Sequence, residues 1–378
     1  MSADFIKTVS EIHRERFLLK VQNLIRNKIP CGFFMGFFKN ENISDIINNL
    51  KNSGFNITCI CCIDANQAGG GAENLNLPLV TLDEFPNFNP KPPQMLYFSS
   101  LKDEIFAEYF SRYGVNMFSL ANADYTENLY NFYIQQLPEL YKVYEMLADE
   151  ESKKVFLASI KGKLTGQVQD FRFAPEPQYF LEGFLPTEGD IAIDGGAFDG
   201  ATARDFTIQG AKVYAFEMDS KNYQNCLPRA EKYNFVIENL GLSNQEGQEF
   251  YFQSGAGSGK GRGDIVGNFI DLDTYVLKKN LPRVDYIKLD IEGAELDMLH
   301  GAAKTIARWK PKMAVSAYHK PEDLWTLATY IKSLRPDYEF KFRHYALNFT
   351  KSIYSELLKF WGLNYLVPSR WEMVLYCR

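Results

Sequence analysis

The stretch Asp190-Ile191-Ala192-Ile193-Asp194-Gly195-Gly196-Ala197-Phe198-Asp199-Gly200 decides the fold. Three apolar residues run into an acid, a glycine-rich turn follows, and a helix is predicted to start near Ala201 or Thr202. That is the pattern of a buried strand handing over to a helix. Downstream, Ala211-Lys-Val-Tyr-Ala-Phe216 reads as a second strand, ending in Glu217, 22 residues after Gly195. Val284 to Leu289 reads as a third, ending in Asp290 and followed by Ile291-Glu292-Gly293-Ala294-Glu295 and a helix with Leu296, Met298, Leu299, Ala302, Ala303, Ile306 and Ala307 on its apolar positions. Pro311 to Ala317 is a further strand with Tyr318 and His319 at its end, and Met373 to Cys377 looks like the last strand of the sheet. Strands alternating with helices imply an α/β unit on a mostly parallel sheet.

Upstream the same alternation recurs. A leading amphipathic helix is predicted over Phe5 to Ile29, then strands at Cys31–Phe38, Ile57–Ile63, Leu79–Val80, Gln94–Phe98 and Val115–Leu120, with helices at Asn42–Asn52 and Leu101–Arg112. The chain thus divides into a Rossmann-like α/β domain over 1–121, a helical connector over 122–187 that ends in the extended Phe173-Ala-Pro175-Glu-Pro177, and a second α/β domain over 188–378. In the first, Cys31-Gly32-Phe33-Phe34-Met35-Gly36 is a degraded form of the dense glycine turn of a dinucleotide binder. Asp64 stands where a ribose-binding acid would, or where a strand simply turns.

Composition bounds the partners. With 378 residues, 46% hydrophobic and 23% charged, the chain is long enough for more than one packed domain. A net charge of −6 favours neither nucleic acid nor an anionic membrane. No apolar run reaches the ~18 residues of a membrane span, and the charged N-terminus is unlike a secretory signal, so the expected compartment is the cytoplasm. Six cysteines without paired zinc spacing fit reduced thiols, and Cys59, Cys61 and Cys62 sit in an apolar run that reads as core.

The acids around the glycine turn carry the chemistry. A dinucleotide brings a pyrophosphate, which wants a helix N-terminus free of carboxylates. S-adenosylmethionine (SAM) brings a sulfonium and an ammonium, which carboxylates favour. Asp194 and Asp199 bracket Gly195, Gly196 and Gly200, so SAM is the expected cofactor; the spacing Asp194-x-Gly196-x-x-x-Gly200 matches a signature of SAM enzymes, whereas a G-x-G-x-x-G reading puts Ala197 at the middle glycine. Glu217 is placed to accept from both ribose hydroxyls, as it would be in a NAD enzyme too. Helix-start acids are favoured by the helix dipole, which accounts for Glu295 and partly for Glu292. It does not account for Asp290.

Asp194–Gly200, Ala215-Phe216-Glu217, Asn268-Phe-Ile-Asp271-Leu-Asp273 and Ile287-Lys288-Leu289-Asp290-Ile291-Glu292-Gly293-Ala294-Glu295 together resemble the FkbM family of SAM-dependent methyltransferases, over about half the chain. The resemblance implies a class I fold with a mostly parallel seven-stranded sheet and O-methylation of a hydroxyl, often on a sugar, nucleotide sugar or glycosylated product. By position it implies a SAM site lined by Asp194, Gly196, Gly200, Glu217 and Asp290. The Tyr318-His319-Lys320-Pro321 run is similar to one in part of the family.

An O-methyl transfer needs the acceptor hydroxyl deprotonated as it attacks, and a histidine of ordinary pKa near 6.5 suits that work. His319, with Asp290 and Glu292, is the expected acid–base group, and His344 a further candidate for the pocket. Whether a divalent metal joins Asp290 and Glu292 is left open. Ser254 to Gly263 is glycine-rich but lacks phosphate-loop spacing; it reads as a mobile loop whose Lys260 and Arg262 meet an anionic substrate, and Gly69 to Gly71 as a flexible loop. Trp325, Trp361 and Trp371 are candidate stacking platforms. A small-molecule or glycan acceptor is the expected partner, with a homo-oligomer left open. A NAD-linked oxidoreductase, or a protein that binds SAM or a nucleotide sugar without catalysis, remain the rival readings.

Overall fold

The computed structural model describes residues 1–36, 43–63, 75–98, 106–120, 123–252, 259–260, 263, 265–348, 366–367 and 371–378. Two compact units emerge, each drawn from separated parts of the chain. The first comprises 1–137, 154–173 and 346–370; the second comprises 138–153, 174–345 and 371–378.

The first unit opens on two helices, Ala3–Glu15 and Phe17–Arg26, where the sequence predicts one. The reason lies in the spacing of the buried residues. Phe5 and Ile12 share one face, as do Phe17 and Leu24, but the step from Ile12 to Phe17 falls between helical faces. An extended Arg16 (ψ 152°) resets the register. Strands β1 (Pro30–Phe34), β2 (Asn56–Cys62), β3 (Leu79–Thr81), β4 (Gln94–Tyr97) and β5 (Asn116–Ser119) form a sheet in the order β3-β2-β1-β4-β5, parallel throughout. Cys31, Cys59, Cys61 and Cys62 are buried in it, and desolvation pushes the thiols of Cys31, Cys59 and Cys61 up, as inert core thiols require.

The second unit is built on β6 (Ile191–Gly195), β7 (Lys212–Phe216) and β8 (Val236–Glu238). A smaller sheet follows: β9 (Gly241–Ser243), β10 (Gly247–Phe252), β11 (Gly259–Lys260) and β12 (Ile265–Asp271), in the order β11-β10-β12-β9. The main sheet resumes with β13 (Tyr286–Leu289), β14 (Lys312–Ser316) and β15 (Phe340–His344); β16 (Leu347–Asn348) and β17 (Leu366–Val367) pair in the first unit, and β18 (Met373–Cys377) returns to the second. The seven-stranded order is β8-β7-β6-β13-β14-β18-β15, with β18 antiparallel to both neighbours and the other pairs parallel. This is the class I architecture expected from the sequence.

All five residues of β6 are buried, because helices cover both faces of a central parallel strand. The chain moves outward from β6 through β7 to β8, then returns to β13 on the other side of β6. The direction of winding therefore reverses between β6 and β13, and in open sheets the crevice at that switch point is where ligands bind. Gly195 and Leu289 are register partners there, which sets the glycine turn and Asp290 side by side.

Candidate active site

A cleft of about 700 Å³ opens at these strand ends, lined by Gly196, Phe198, Glu217, Leu240, Asp290 and Glu292 among others. The turn that floors it can be built only from glycine at its tightest point. Gly196 has φ +77°, and a Cβ there would stand 1.8 Å from the Asp290 carbonyl oxygen. The Gly196 and Ala197 amides both donate to the Phe216 carbonyl, each at 3.0 Å. Gly200 (φ +76°) then caps the helix Ala201–Ile208.

Beneath the turn lies an ion pair. Lys288 Nζ is 3.0 Å from Asp194 Oδ1, with side-chain exposures of 3% and 0%. The same ammonium donates to the Gly195 and Gly196 carbonyls at 3.2 and 2.7 Å. Burial pulls the Lys288 pKa down, but Asp194, Asp290 and Glu217 outweigh it and hold the lysine above its ordinary value. Asp194, expected to face the cofactor, is thus sealed under the turn and acts on it through Lys288. Asp199 likewise does not line the cleft. It accepts from the Ala201 amide at 3.0 Å and pairs with Arg229 at 3.0 Å, fastening the helix start.

Glu217 does reach the cleft. Its Oε2 accepts from the Phe198 amide at 2.8 Å and its Oε1 from the Asp219 amide at 2.9 Å, which fixes the carboxylate and leaves lone pairs facing the opening. Burial raises its pKa, against the pull of those two amides.

On the facing wall Asp290 is aimed by two phenols. Tyr179 donates to its Oδ2 at 2.8 Å and Tyr318 to its Oδ1 at 3.1 Å. Glu292, also on the wall, holds a left-handed backbone (φ 56°). His319 stands behind them: Nε2 is 3.6 Å from Asp290 Oδ1 and 3.5 Å from Glu292 Oε2, and Nδ1 is 2.9 Å from Glu295 Oε1. Glu295 is fully buried (0% exposed) and takes the Ile291 amide at 2.9 Å, so the dipole account of it is incomplete. Burial pulls the His319 pKa down, but Glu295, Glu292 and Asp290 overcome this and lift it to about 11. The expectation of an ordinary histidine titrating near 6.5 is corrected by these carboxylates. Glu372, with φ 71°, adds a further acid whose pKa burial pushes up to about 7.

Lys288 and Tyr318 stand inside the family-like motifs with no role assigned from the sequence, and Tyr179 and Glu372 stand in none. His344 is buried with its Nε2 2.5 Å from the Trp371 carbonyl, away from the cleft lining. Trp325 packs into the core. Asp64, Gly69–Gly71, Ser254–Ser258, Arg262 and Trp361 lie outside the described residues.

The family model of the methyltransferase FkbM domain matches residues 194–350, from the buried acid of the turn through Asp290 and His319. Residues 194–350 are thus similar to a methyltransferase FkbM domain. In three dimensions the chain is similar to the methyltransferase FkbM of Methylobacillus flagellatus KT, with a TM-score of 0.63 and 19% identity over 99% of this chain and 98% of that one; at that identity the likeness establishes the fold, in both units. Fibrillarin of Aeropyrum pernix, solved with natively bound S-adenosyl-L-methionine, covers 51% of this chain and 67% of its own at a TM-score of 0.30 and 14% identity, too slight a likeness to bear on the ligand here. No curated protein matches in sequence. The match at 194–350 makes the chain a methyltransferase, with its cleft at the switch point between β6 and β13.

Proposed function

We propose that the chain is a SAM-dependent O-methyltransferase acting on a hydroxyl of a sugar or glycosylated small molecule. The observation that carries this is the fixed Glu217 carboxylate facing the same cleft as Asp290 and Glu292. A donor that is a diol at one end and a doubly cationic amino acid at the other meets acceptor oxygens at both. Glu217 accepts hydrogen bonds from the ribose hydroxyls, the Gly196 turn lets the backbone approach, and Asp290, held rigid by Tyr179 and Tyr318, faces the charged end. A pyrophosphate in this cleft would meet carboxylates on two walls, which disfavours NAD.

In the transfer, the acceptor oxygen attacks the methyl carbon in line as the bond to sulfur breaks, its electron pair staying on the sulfur. The hydroxyl proton leaves to a carboxylate of the wall. Asp290 and Glu292 line the cleft and are placed to receive it, with His319 behind them fixing both. The sugar acceptor rests on the family resemblance and on the carboxylate lining, which disfavours an anionic group beside the methyl.

Calorimetric titration with SAM and with NAD tests the cofactor, and transfer of a labelled methyl group to a panel of sugars, glycosides and nucleotide sugars tests the acceptor. Binding of NAD in preference to SAM overturns the proposal, as does methylation at nitrogen or carbon alone.

A further inference from the structure

Glu372, immediately before β18, is an acid to which the methyl transfer gives no role. We infer that it is a positioning residue, which through Gln178 and Tyr179 fixes how Asp290 is held. The links are hydrogen bonds in series. Gln178 Nε2 donates to Glu372 Oε2 at 2.6 Å and to the Tyr179 hydroxyl at 3.1 Å, and that hydroxyl donates to Asp290 Oδ2 at 2.8 Å. Only the nitrogen end of an amide donates to a carboxylate, so Glu372 decides which way the Gln178 side chain faces. With its NH₂ towards Tyr179, Gln178 offers the phenol no acceptor, and the phenol proton goes to Asp290. Ser316 Oγ, 3.2 Å from the same hydroxyl, is a more distant and neutral acceptor, weaker than the carboxylate. A reversed Gln178 would present its oxygen instead and compete with Asp290 for that proton.

Two further observations mark the arrangement as one held against local preference. Tyr179 (φ 68°) and Glu372 (φ 71°) both hold left-handed backbone without being glycine, which persists only where the surroundings over-determine it. Both are pinned: the Tyr179 amide donates to the Tyr376 hydroxyl at 3.0 Å, and the Tyr345 amide to the Glu372 carbonyl at 3.1 Å. A third acid near Asp290 and Glu292 is unfavourable as well. Burial, Asp290 and Glu292 raise the Glu372 pKa to about 7, against Gln178 and His319, which lower it. A neutral residue there would cost the fold less, so the acid is accounted for by what it orients. Gln178, Tyr179 and Glu372 also lie outside residues 194–350, so this support for Asp290 comes from the chain on either side of the family-like segment. What it does for methyl transfer rests on the function proposed above; the series of hydrogen bonds does not.

The test is calorimetric titration of the full chain with SAM at about pH 8, where Glu372 is charged. Glu372→Met is expected to raise the SAM dissociation constant about three- to tenfold, and Tyr179→Phe by a similar factor, because each withdraws the same donor from Asp290. Glu372→Gln, neutral like methionine yet still an acceptor for Gln178, recovers most of that loss. The double variant Glu372→Met/Tyr179→Phe binds no more weakly than the weaker single one. Circular dichroism confirms that each variant is folded, and Glu372→Ala serves where Glu372→Met is not. Equal losses in Glu372→Met and Glu372→Gln would assign the effect to charge and overturn the inference, as would parent-like affinity in Glu372→Met or losses that multiply in the double variant. Urea unfolding of the same variants gives a reading without ligand: the midpoint shift of the double variant should fall short of the sum of the single ones, and additive shifts overturn the inference. A parent that binds no SAM sinks the proposed function alone, and the unfolding cycle still decides the role of Glu372.

Discussion

Lys288 and Asp194 occupy register-matched positions on adjacent parallel strands and form an ion pair with almost no exposed surface. Because the lysine also holds the carbonyls of Gly195 and Gly196, the pair is the mount on which the glycine turn is set.

Removing one partner leaves a charge stranded in the interior. Lys288→Met and Asp194→Asn should each lose about 3–5 kcal/mol of stability, read from urea unfolding, while the double variant recovers most of the loss because two neutral residues need no compensation. Additive losses in the double variant would show that the two residues act independently.

Gly196 and Gly200 both sit at positive φ, but only the first abuts backbone. Gly196→Ala should unfold the turn, with several kcal/mol lost and SAM affinity down by more than about tenfold. At Gly200 an added Cβ meets the Phe235 ring at 3.0 Å and Cys226 Sγ at 3.3 Å, side-chain atoms with some room to yield. Its alanine variant should stay folded, about 1–2 kcal/mol weaker. Equal thermal midpoints for the two would contradict this ordering.

Glu217→Gln replaces an acceptor with an amide whose NH₂ must face one of two backbone N–H groups, Phe198 or Asp219. An increase of about tenfold in the SAM dissociation constant is expected, together with about 1–2 kcal/mol of lost stability. Calorimetry on the variant reads both, and parent-like SAM affinity would remove Glu217 from the site.

Acid sensitivity should arise far from the cleft. Burial opposes the charge on Asp149, yet the Ser152 hydroxyl and amide and the Arg343 guanidinium hold its pKa well below the usual carboxylate range. A depressed folded-state pKa stabilises above the unfolded value of ~3.9 and is lost as the pH falls towards the folded one. Asp149→Asn should therefore lower the unfolding midpoint at pH 7, and its difference from the parent should shrink below about pH 4. A difference that stays constant down to about pH 2 would assign the effect to packing.

The strands β6, β7 and β13 were legible because an apolar run closed by an acid is a local pattern, and each of them carries it. Glu217 and Asp290 were legible for the same reason: both stand at the end of such a run. Lys288 does carry a local signal, since a lysine between Ile287 and Leu289 in a strand buried on both faces demands a charged partner. Glu295 reads from sequence as a solvated helix-start acid, and only tertiary structure buries it and turns His319 onto it. Tyr179 and Glu372 had no local signature. They come from irregular backbone, each at positive φ, and contact the site only once the sheet is assembled.

The placement of β18 fixes a sequence of events during synthesis. Among the described residues β15 has β18 as its one neighbour in the main sheet, and β18 is slotted between β14 and β15. When β15 leaves the ribosome it has no strand to pair with, and the edge of β14 is bare. Both wait for residues 373–377, so this half of the sheet closes only after translation has passed them, while the β6–β7–β8 half can already be zipped. A nascent chain paused before Met373 would expose two unpaired edges to whatever chaperone is at hand.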